Sequence, residues 1–587
     1  MITIITALVF LFAAALSISG YGALLFPESQ SWAGRFGAGT LLMFFLLSIA
    51  GWAGFLVPAL LWGILAAGTL LWIHPGRFTM PRGGALIALC GLVLFPLALL
   101  PPVSRDAMIH HLYQARIWLD AGRIIRPDWS GVFSYPYLVE SFYTLAGGTF
   151  GFNVSRVVSL LGFLALCSVP VGYFLREGRK KTAIISLIVL MSIPELVRNA
   201  TWSYSDSLLV FFSLLSYLEL LRKNGNPVLA VLWAGGASCC KYNGFIVLLS
   251  VCILLPLYFR NMSRKTVLYS VLAAFFTTAW WAVPNILQWG NPVYPLFQGI
   301  FGPDIPLSSR AAEYLAMNPV STSLNGILDY ILLPVRISLH GQWNNPGLFD
   351  GASGPLLLAG TILAFPFVRN KRRKFLLPFL YMLITLIANG AAVRVRYLLP
   401  GLVMLSIPVT EAYGSFLSGR NRIMRTAALV LIGVCVIWSA EKILTLYEHE
   451  RPWEFQDDET YLDEHAFYYD FFQKCELYIS ESDTTLLLNM NRPFYFPGYA
   501  VFDHAVVPLE LMEMLWSGME SEEIVSILSD RGITHLAVDM LLTSINITPE
   551  LSADQLEQWR RFVSFNLHPV LTVDRFILFR LKSTEGT

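Results

Sequence analysis

Between residues 4 and 443 the chain returns repeatedly to apolar runs long enough to cross a bilayer. Water-soluble domains do not carry that pattern. About 25% of their residues are charged; here 14% are charged and 55% apolar, with a mean hydropathy of +0.58. A helix of about 20 apolar residues spans the hydrocarbon core, so the pattern dictates a polytopic α-helical membrane protein and excludes a soluble enzyme or a disordered chain.

Charge divides the chain in two. Residues 1–443 hold 32 Lys and Arg against 15 Asp and Glu, net +17, while residues 444–587 hold 9 against 25, net −16. A basic membrane domain (1–443) is thus followed by an acidic, soluble-looking tail (444–587) long enough for one domain. Basic residues sit in short loops without interleaved aromatics, so nucleic acid is not an expected partner. Six of the seven cysteines lie in apolar stretches and the tail has only Cys475, which excludes a disulfide framework there. No CxxC or Cys/His metal spacing occurs. The first 34 residues contain no Lys or Arg, so 4–25 is expected to be a retained span and not a cleaved leader.

Basic residues cluster around 77–82, 176–181, 222–223, 260–265, 369–374 and 420–425. The positive-inside rule puts all six loops on the cytoplasmic side. The connecting spans are then 85–101, 151–174, 182–198, 207–221, 228–240, 244–259, 266–288, 352–368, 375–391, 397–416 and 426–443, with two more in 38–73. With the first span this gives about 13–14 transmembrane helices. The loops 102–150 and 289–351, the short segments 199–206 and 392–396, and the tail all face outward. Asp106, Asp128, Glu140, Asp206, Asp304 and Asp350 fall on that side. Asp106 to Asp120 reads as an amphipathic helix lying in the interface, and Ile327 to Val335 is apolar but too short to span. In the tail, strands are expected at Thr484 to Met490, at Ile533 to Asp539, and as a pair within Val570 to Leu581 turning at Asp574. Helices are expected at Leu509 to Trp516, Glu522 to Ser529 and Asp554 to Phe565, which together make a C-terminal soluble α/β domain.

Several polar residues invite a chemical reading beside a structural one. Asp106 stands at a helix start just beyond a span, where it suits either an N-cap or a general base for a hydroxyl. Lys241 interrupts an apolar stretch at membrane depth, where a charge demands a partner or a function; snorkelling and a phosphate contact are both consistent. Arg394 and Arg396 lie outside, against the usual charge bias, and two guanidiniums can hold a phosphate by paired hydrogen bonds or simply anchor a span. Glu140 is either a second acid or an ion-paired carboxylate, with Arg105 or Arg126 as partner. Asp206 suits a cap for the span 207–221. His110 and His111 are adjacent, so they cannot form an i,i+4 metal pair; they read as interfacial or sugar-contacting. The Trp280, Trp281, Trp289 and Tyr294 group reads as an aromatic belt.

The order of short motifs over residues 100–400 resembles that of the GT-C superfamily of glycosyltransferases. The motifs are Asp106-Ala-Met-Ile-His-His111-Leu112 with Gly122, Tyr135-Pro136 with Glu140, and Tyr204-Ser-Asp206. Further along come Lys241-Tyr242, Trp281-Ala-Val-Pro-Asn285 leading into Gly290-Asn291-Pro-Val-Tyr-Pro295, and Arg394-Val-Arg396-Tyr397-Leu-Leu-Pro400. The branch is similar to protein O-mannosyltransferases and lipid A aminoarabinose transferases, the family-39-like group. This resemblance implies an inverting enzyme that moves a sugar from a polyprenyl-phosphate carrier to a hydroxyl on the extracytoplasmic side. It implies Asp106 as the catalytic base with Glu140 as a second catalytic carboxylate, and Lys241, Arg394 and Arg396 as ligands of the donor phosphate. His111, Tyr135, Asp206, Asn291 and Tyr397 would lie around the sugar or acceptor. The implied partners are a polyprenyl-phosphate-linked sugar, membrane lipids, and a lipid, polysaccharide or protein acceptor. The implied location is a bacterial inner membrane with the C-terminal domain extracytoplasmic. No cofactor is expected, and the absence of any Asp-x-Asp argues against the metal that some members use. The spans ahead of the Asp106 loop are extra relative to the family. A transporter or flippase, or a ligase of lipid-linked glycans, is the alternative.

Overall fold

Inside hydrocarbon every backbone N–H and C=O must be satisfied within its own segment, so each apolar run folds as a helix. The computed structural model describes residues 4–582 except 27–30, 74–79, 303–325, 369, 391, 455–456, 503–510, 512–513, 515–516 and 547–550. Asp304 and most of the helix expected at 509–516 lie outside the described residues.

The chain opens with α1 (Ile4–Leu25), α2 (Trp32–Trp52), α3 (Pro58–Ile73) and α4 (Gly84–Ala98). α1 and α2 cross so closely that a Cβ on Gly39 would sit 1.7 Å from the carbonyl oxygen of Ile18. Small residues at such crossings let transmembrane backbones approach. Two short helices follow, α5 (Leu112–Asp120) and α6 (Leu138–Thr149). The bundle then continues with α7 (Ser155–Arg176), α8 (Lys180–Met191), α9 (Pro194–Thr201), α10 (Asp206–Leu221), α11 (Pro227–Cys240), α12 (Tyr242–Tyr258) and α13 (Arg264–Trp289). It closes with α14 (Gly326–Leu339), α15 (Pro355–Phe367), α16 (Lys371–Asn389), α17 (Val395–Ser418) and α18 (Arg422–Glu450).

Among the described residues six helices are long and apolar enough to cross a membrane singly: α1, α2, α7 with the turn before it, α13, α17 and α18. Five more, α3, α4, α11, α12 and α15, are shorter and apolar. The expected single crossing at 182–198 is a correction. It breaks into α8 and α9, which meet at 78°. Pro194 opens α9 and has no N–H to give, and Ile193 before it is pushed out of the helical region. The bundle is polarised laterally. α7 and α17 are buried along most of their length, whereas α18 buries only Ala428, Cys435, Ser439, Leu446 and Glu450. That narrow seam touches the bundle and leaves the rest of α18 for lipid.

The tail contains α19 (Asp458–His465) and α20 (Tyr469–Cys475), then β1 (Thr484–Leu488), β2 (Tyr499–Phe502), α21 (Ser521–Asp530), β3 (Ile533–Asp539), α22 (Met540–Asn546), α23 (Ala553–Arg561), β4 (Leu567–Val573) and β5 (Phe576–Leu581). The sheet order is β2-β1-β3-β5-β4, with β1 parallel to β2 and β3, and β5 antiparallel to β3 and β4. Side chains alternate across it. Leu486 and Leu488 join a core with Ile524, Leu528 and Trp559, while Leu487 faces the other way with Phe471, Phe496 and Phe502.

That second face docks on the loop between α4 and α7. The Tyr113 hydroxyl donates to the Ala500 carbonyl at 2.8 Å and accepts its N–H at 2.7 Å. Arg116 donates to the carbonyls of Phe494 and Phe496. The expected interfacial helix is therefore a buried one: Leu112, Tyr113, Gln114, Ala115, Ile117 and Trp118 are all enclosed, because α6 and the tail cover both sides of α5.

One buried ion pair ties the two parts. Arg156 Nη1 lies 2.9 Å from Glu450 Oε2, with both side chains at most 2% exposed. The Tyr461 hydroxyl and Trp202 Nε1 also donate to that carboxylate, and Arg156 donates to the Leu97 carbonyl. The cluster joins α4, α7, α18 and α19. Removing one partner of such a pair leaves an uncompensated buried charge. Glu450→Ala is expected to destabilise the chain by about 3–5 kcal/mol, seen as a lower thermal midpoint in detergent. An unchanged midpoint would mean that water reaches Arg156.

Candidate active site

The polar residues singled out in the sequence collect where helices begin. The chain leaves α4, passes Pro101 and Pro102, and re-enters helix at Arg105 with a π-type turn over Ala107–His111. Asp106 is already helical, at φ −66°, and makes no capping bond. Its carboxylate is used elsewhere: Arg396 Nη1 donates to Oδ2 at 2.6 Å. Arg396 is the second residue of α17, and 290 positions separate the two in the chain.

Lys241 is a single extended residue between α11 and α12. The return is tight, since a Cβ on Gly244 would fall 1.8 Å from the Ala237 carbonyl oxygen. The ammonium of Lys241 lies 3.4 Å from both oxygens of Asp206, the first residue of α10. Asp206 pairs with the lysine, and Ser205 before it makes no side-chain cap. Tyr397 joins the two cations, its ring centre 5.8 Å from the Arg396 guanidinium and 5.9 Å from Lys241 Nζ. On the other side the Tyr204 ring lies 5.1 Å from the guanidinium. Such ring faces favour a cation electrostatically.

The cluster has an open front and a closed back. Asp106, Lys241 and Arg396 are 26%, 19% and 13% exposed. Asp206 is 1% exposed, and behind Asp106 lie His111 and Glu140, at 6% and 3%. Burial pushes the Asp106 carboxyl up, but Arg396, with His110 and Lys241, outweighs burial and holds it well below the usual carboxylate range. At the back, His111 Nδ1 and Glu140 Oε1 are 2.5 Å apart. Burial drives the imidazole down to about 3 and the carboxyl up to about 8. At neutral pH this is a neutral imidazole against a carboxylic acid.

The structure therefore brings Asp106, His111, Asp206, Lys241, Arg396 and Tyr397 together, and it separates others. Glu140 is walled off behind His111, and Arg126, once its suggested partner, donates to Asn285 instead. The Glu140 carboxyl is 3% exposed and its Oε1 bonds to His111. Arg394 precedes the helix, and its guanidinium donates to the Pro346 carbonyl at 2.9 Å, away from the pair. Asn291 is fully buried and holds its own turn. Its Nδ2 donates to the Leu296 carbonyl at 2.8 Å and its Oδ1 accepts from Val293 N–H at 2.9 Å. Tyr135 flanks the cluster, 5.3 Å from the Tyr242 ring and 6.0 Å from His110. Tyr204 was not singled out, although it opens the Tyr-Ser-Asp motif that carries Asp206. Among the described residues no group of three or more His, Cys, Asp or Glu is placed to hold a metal ion.

The model of a family described as a domain of unknown function (DUF8201) matches residues 131–403, which include Glu140, Tyr204, Asp206, Lys241 and Arg396 but not Asp106. No curated protein matches the chain in sequence. In structure the chain is similar to ArnT from Cupriavidus metallidurans in the apo state, at 13% identity and a TM-score of 0.52, covering 85% of this chain and 98% of that one. It is also similar to ArnT from the same organism bound to undecaprenyl phosphate, at 12% identity and a TM-score of 0.50, covering 86% and 99%. At this identity the likeness establishes the fold, which is GT-C-like.

The buried pair makes stability depend on pH in a definite sense. An unfolded Glu titrates near 4.5, so the contribution of Glu140 is complete below that pH and is lost as pH rises through about 8. An unfolded His titrates near 6.5, so the contribution of His111 is complete above that pH and is lost as pH falls towards about 3. The two slopes cancel between. The thermal midpoint is expected to be flat from pH 4.5 to 6.5 and to fall on either side. Glu140→Gln, which cannot ionise, should remove the alkaline fall; an alkaline limb identical to wild type would show that Glu140 is not the group responsible.

Proposed function

We propose that the chain is a glycosyltransferase that moves a sugar from a polyprenyl-phosphate carrier to a hydroxyl acceptor on the extracytoplasmic face of the membrane. What carries this reading is the meeting of Asp106 with Arg396 at 2.6 Å, both partly exposed, near the partly exposed Lys241. A carboxylate beside two cations suits a displacement in which a proton leaves one oxygen while negative charge collects on another.

In this reading the acceptor hydroxyl attacks the anomeric carbon and passes its proton to Asp106. The bond from that carbon to the phosphate oxygen breaks, and polyprenyl phosphate departs with the bonding electrons. Arg396 and Lys241 face the growing charge, Arg396 through a fork of N–H donors and Lys241 as a point charge. Among the described residues the Asp106 carboxylate is hydrogen-bonded by Arg396 alone, through Oδ2. His111, held by Glu140, packs its ring 5.8 Å from Tyr204 and fixes the wall against which Asp106 rests. The Tyr397 and Tyr204 rings, 5.8 Å and 5.1 Å from the guanidinium, hold Arg396 close to where the phosphate leaves. Residues 444–587 act as a separate domain that buttresses the helix after Asp106. The likeness to a structure holding undecaprenyl phosphate supports the choice of carrier class.

Asp106→Asn keeps the shape of the side chain and removes its basicity. Release of free polyprenyl phosphate from a sugar-loaded carrier, followed by mass spectrometry with acceptor supplied, is expected to slow by about 10²–10⁴-fold. Full activity at normal protein level would sink the assignment of Asp106 as the base.

A further inference from the structure

The proposed base and the proposed phosphate ligand are bonded to each other. Arg396 donates to Asp106 Oδ2 at 2.6 Å, a charge-assisted bond that stabilises the ionised carboxylate and so weakens it as a proton acceptor. General bases work best when their affinity for a proton matches the operating pH. Taken alone, the pair disarms the residue on which the chemistry depends.

The surroundings of the pair offer an exit. The Arg396 guanidinium lies 5.1 Å from the Tyr204 ring and 5.8 Å from the Tyr397 ring, contacts that do not use its N–H donors. Its Nε is buried without a hydrogen-bond partner among the described residues, so the fork has unused donor capacity. Lys241 is differently placed. It lies 3.4 Å from a carboxylate that is 1% exposed and sits at the start of α10, behind the exposed front. A phosphate arriving at the front meets one cation already neutralised from behind and another whose partner stands beside it in the open. Arg396 is the one that must change hands.

We propose that the donor phosphate takes Arg396 from Asp106, so that the base becomes competent only when the donor is bound. This rests on the function proposed above and adds an order to it: donor first, acceptor activated second. One charge-assisted bond is exchanged for another, so the exchange has little net cost. Loss of polyprenyl phosphate returns Arg396 to Asp106 and closes the cycle. Without donor, a hydroxyl at the site is not activated.

The exchange makes a prediction opposite in sign to that of a structural role. If Asp106 merely positions Arg396, removing its charge loosens the guanidinium and weakens phosphate binding. If Asp106 competes with the phosphate, removing its charge strengthens binding. Affinity for undecaprenyl phosphate is measured in detergent for the full-length chain, as wild type, Asp106→Asn and Asp106→Glu. Asp106→Asn is expected to bind about tenfold tighter than wild type, and Asp106→Glu, which keeps the competitor, to match wild type within about twofold. Equal or weaker binding by Asp106→Asn overturns the exchange. Turnover of the same variants is read separately: tighter binding with turnover lost supports both proposals, unchanged binding with turnover lost removes only the exchange, and turnover kept removes the function itself. Should Asp106→Asn not fold, the wild-type chain answers alone. Its infrared difference spectrum on adding undecaprenyl phosphate should show one carboxylate band moving from an ion-paired to an unpaired position, and no movement overturns the proposal.

Discussion

Hydrocarbon allows a chain no unsatisfied backbone, and the rest of this structure follows from that constraint. Irregular segments are driven to the ends of helices, and the residues able to do chemistry are driven there with them. Asp106 stands just past α4, Asp206 opens α10, Lys241 is the one extended residue between α11 and α12, and Arg396 is second in α17. Four distant parts of the sequence meet because each is a place where a helix is permitted to stop or start. The bundle aims its helix starts at one another, and the site is what lies between them.

Low polarity then sorts those residues by charge state. Two carboxyls lie on either side of His111, and their environments drive them apart: Asp106 is kept ionised by Arg396, and Glu140 is kept protonated by burial. The division matches exposure, with ionic groups at the open front and a neutral hydrogen-bonded pair behind. A second charged carboxylate at the back would repel Asp106 and compete for Arg396. A neutral Glu140 holds the imidazole without disturbing the field in front of it.

Much of this was legible in the residues, for physical reasons that also mark where reading stopped. Span positions follow from apolar length, which is local. The strands at 484–488 and 533–539 follow from alternation, and the β4–β5 hairpin from Asp574, which adopts φ +50°. The break between α8 and α9 was written in Pro194 and in the polar Glu195, Arg198 and Asn199 that follow it, but the apolar run before it carried the expected span through. β2 has only four residues, too few for a period to register. The candidate site was half readable. Arg394 and Arg396 look equivalent in sequence. Only the onset of α17 between them decides that one guanidinium turns to Pro346 and the other to Asp106. Glu140 carried the residue type of a catalytic acid, and nothing local revealed that His111, 29 positions earlier, would seal it in.

The docking of the tail on α5 bears on how the molecule comes into being. Tyr113 is bound by Ala500, 387 positions later, and Arg156 by Glu450, 294 positions later. At a synthesis rate of about 5–20 residues per second, roughly 20–80 s separate Tyr113 from the strand that holds it. Through that interval the helix following Asp106 has one side bare, even though the spans around it are already made. The candidate site is thus among the last features to mature, and a chain released early would be a membrane bundle lacking the support for it.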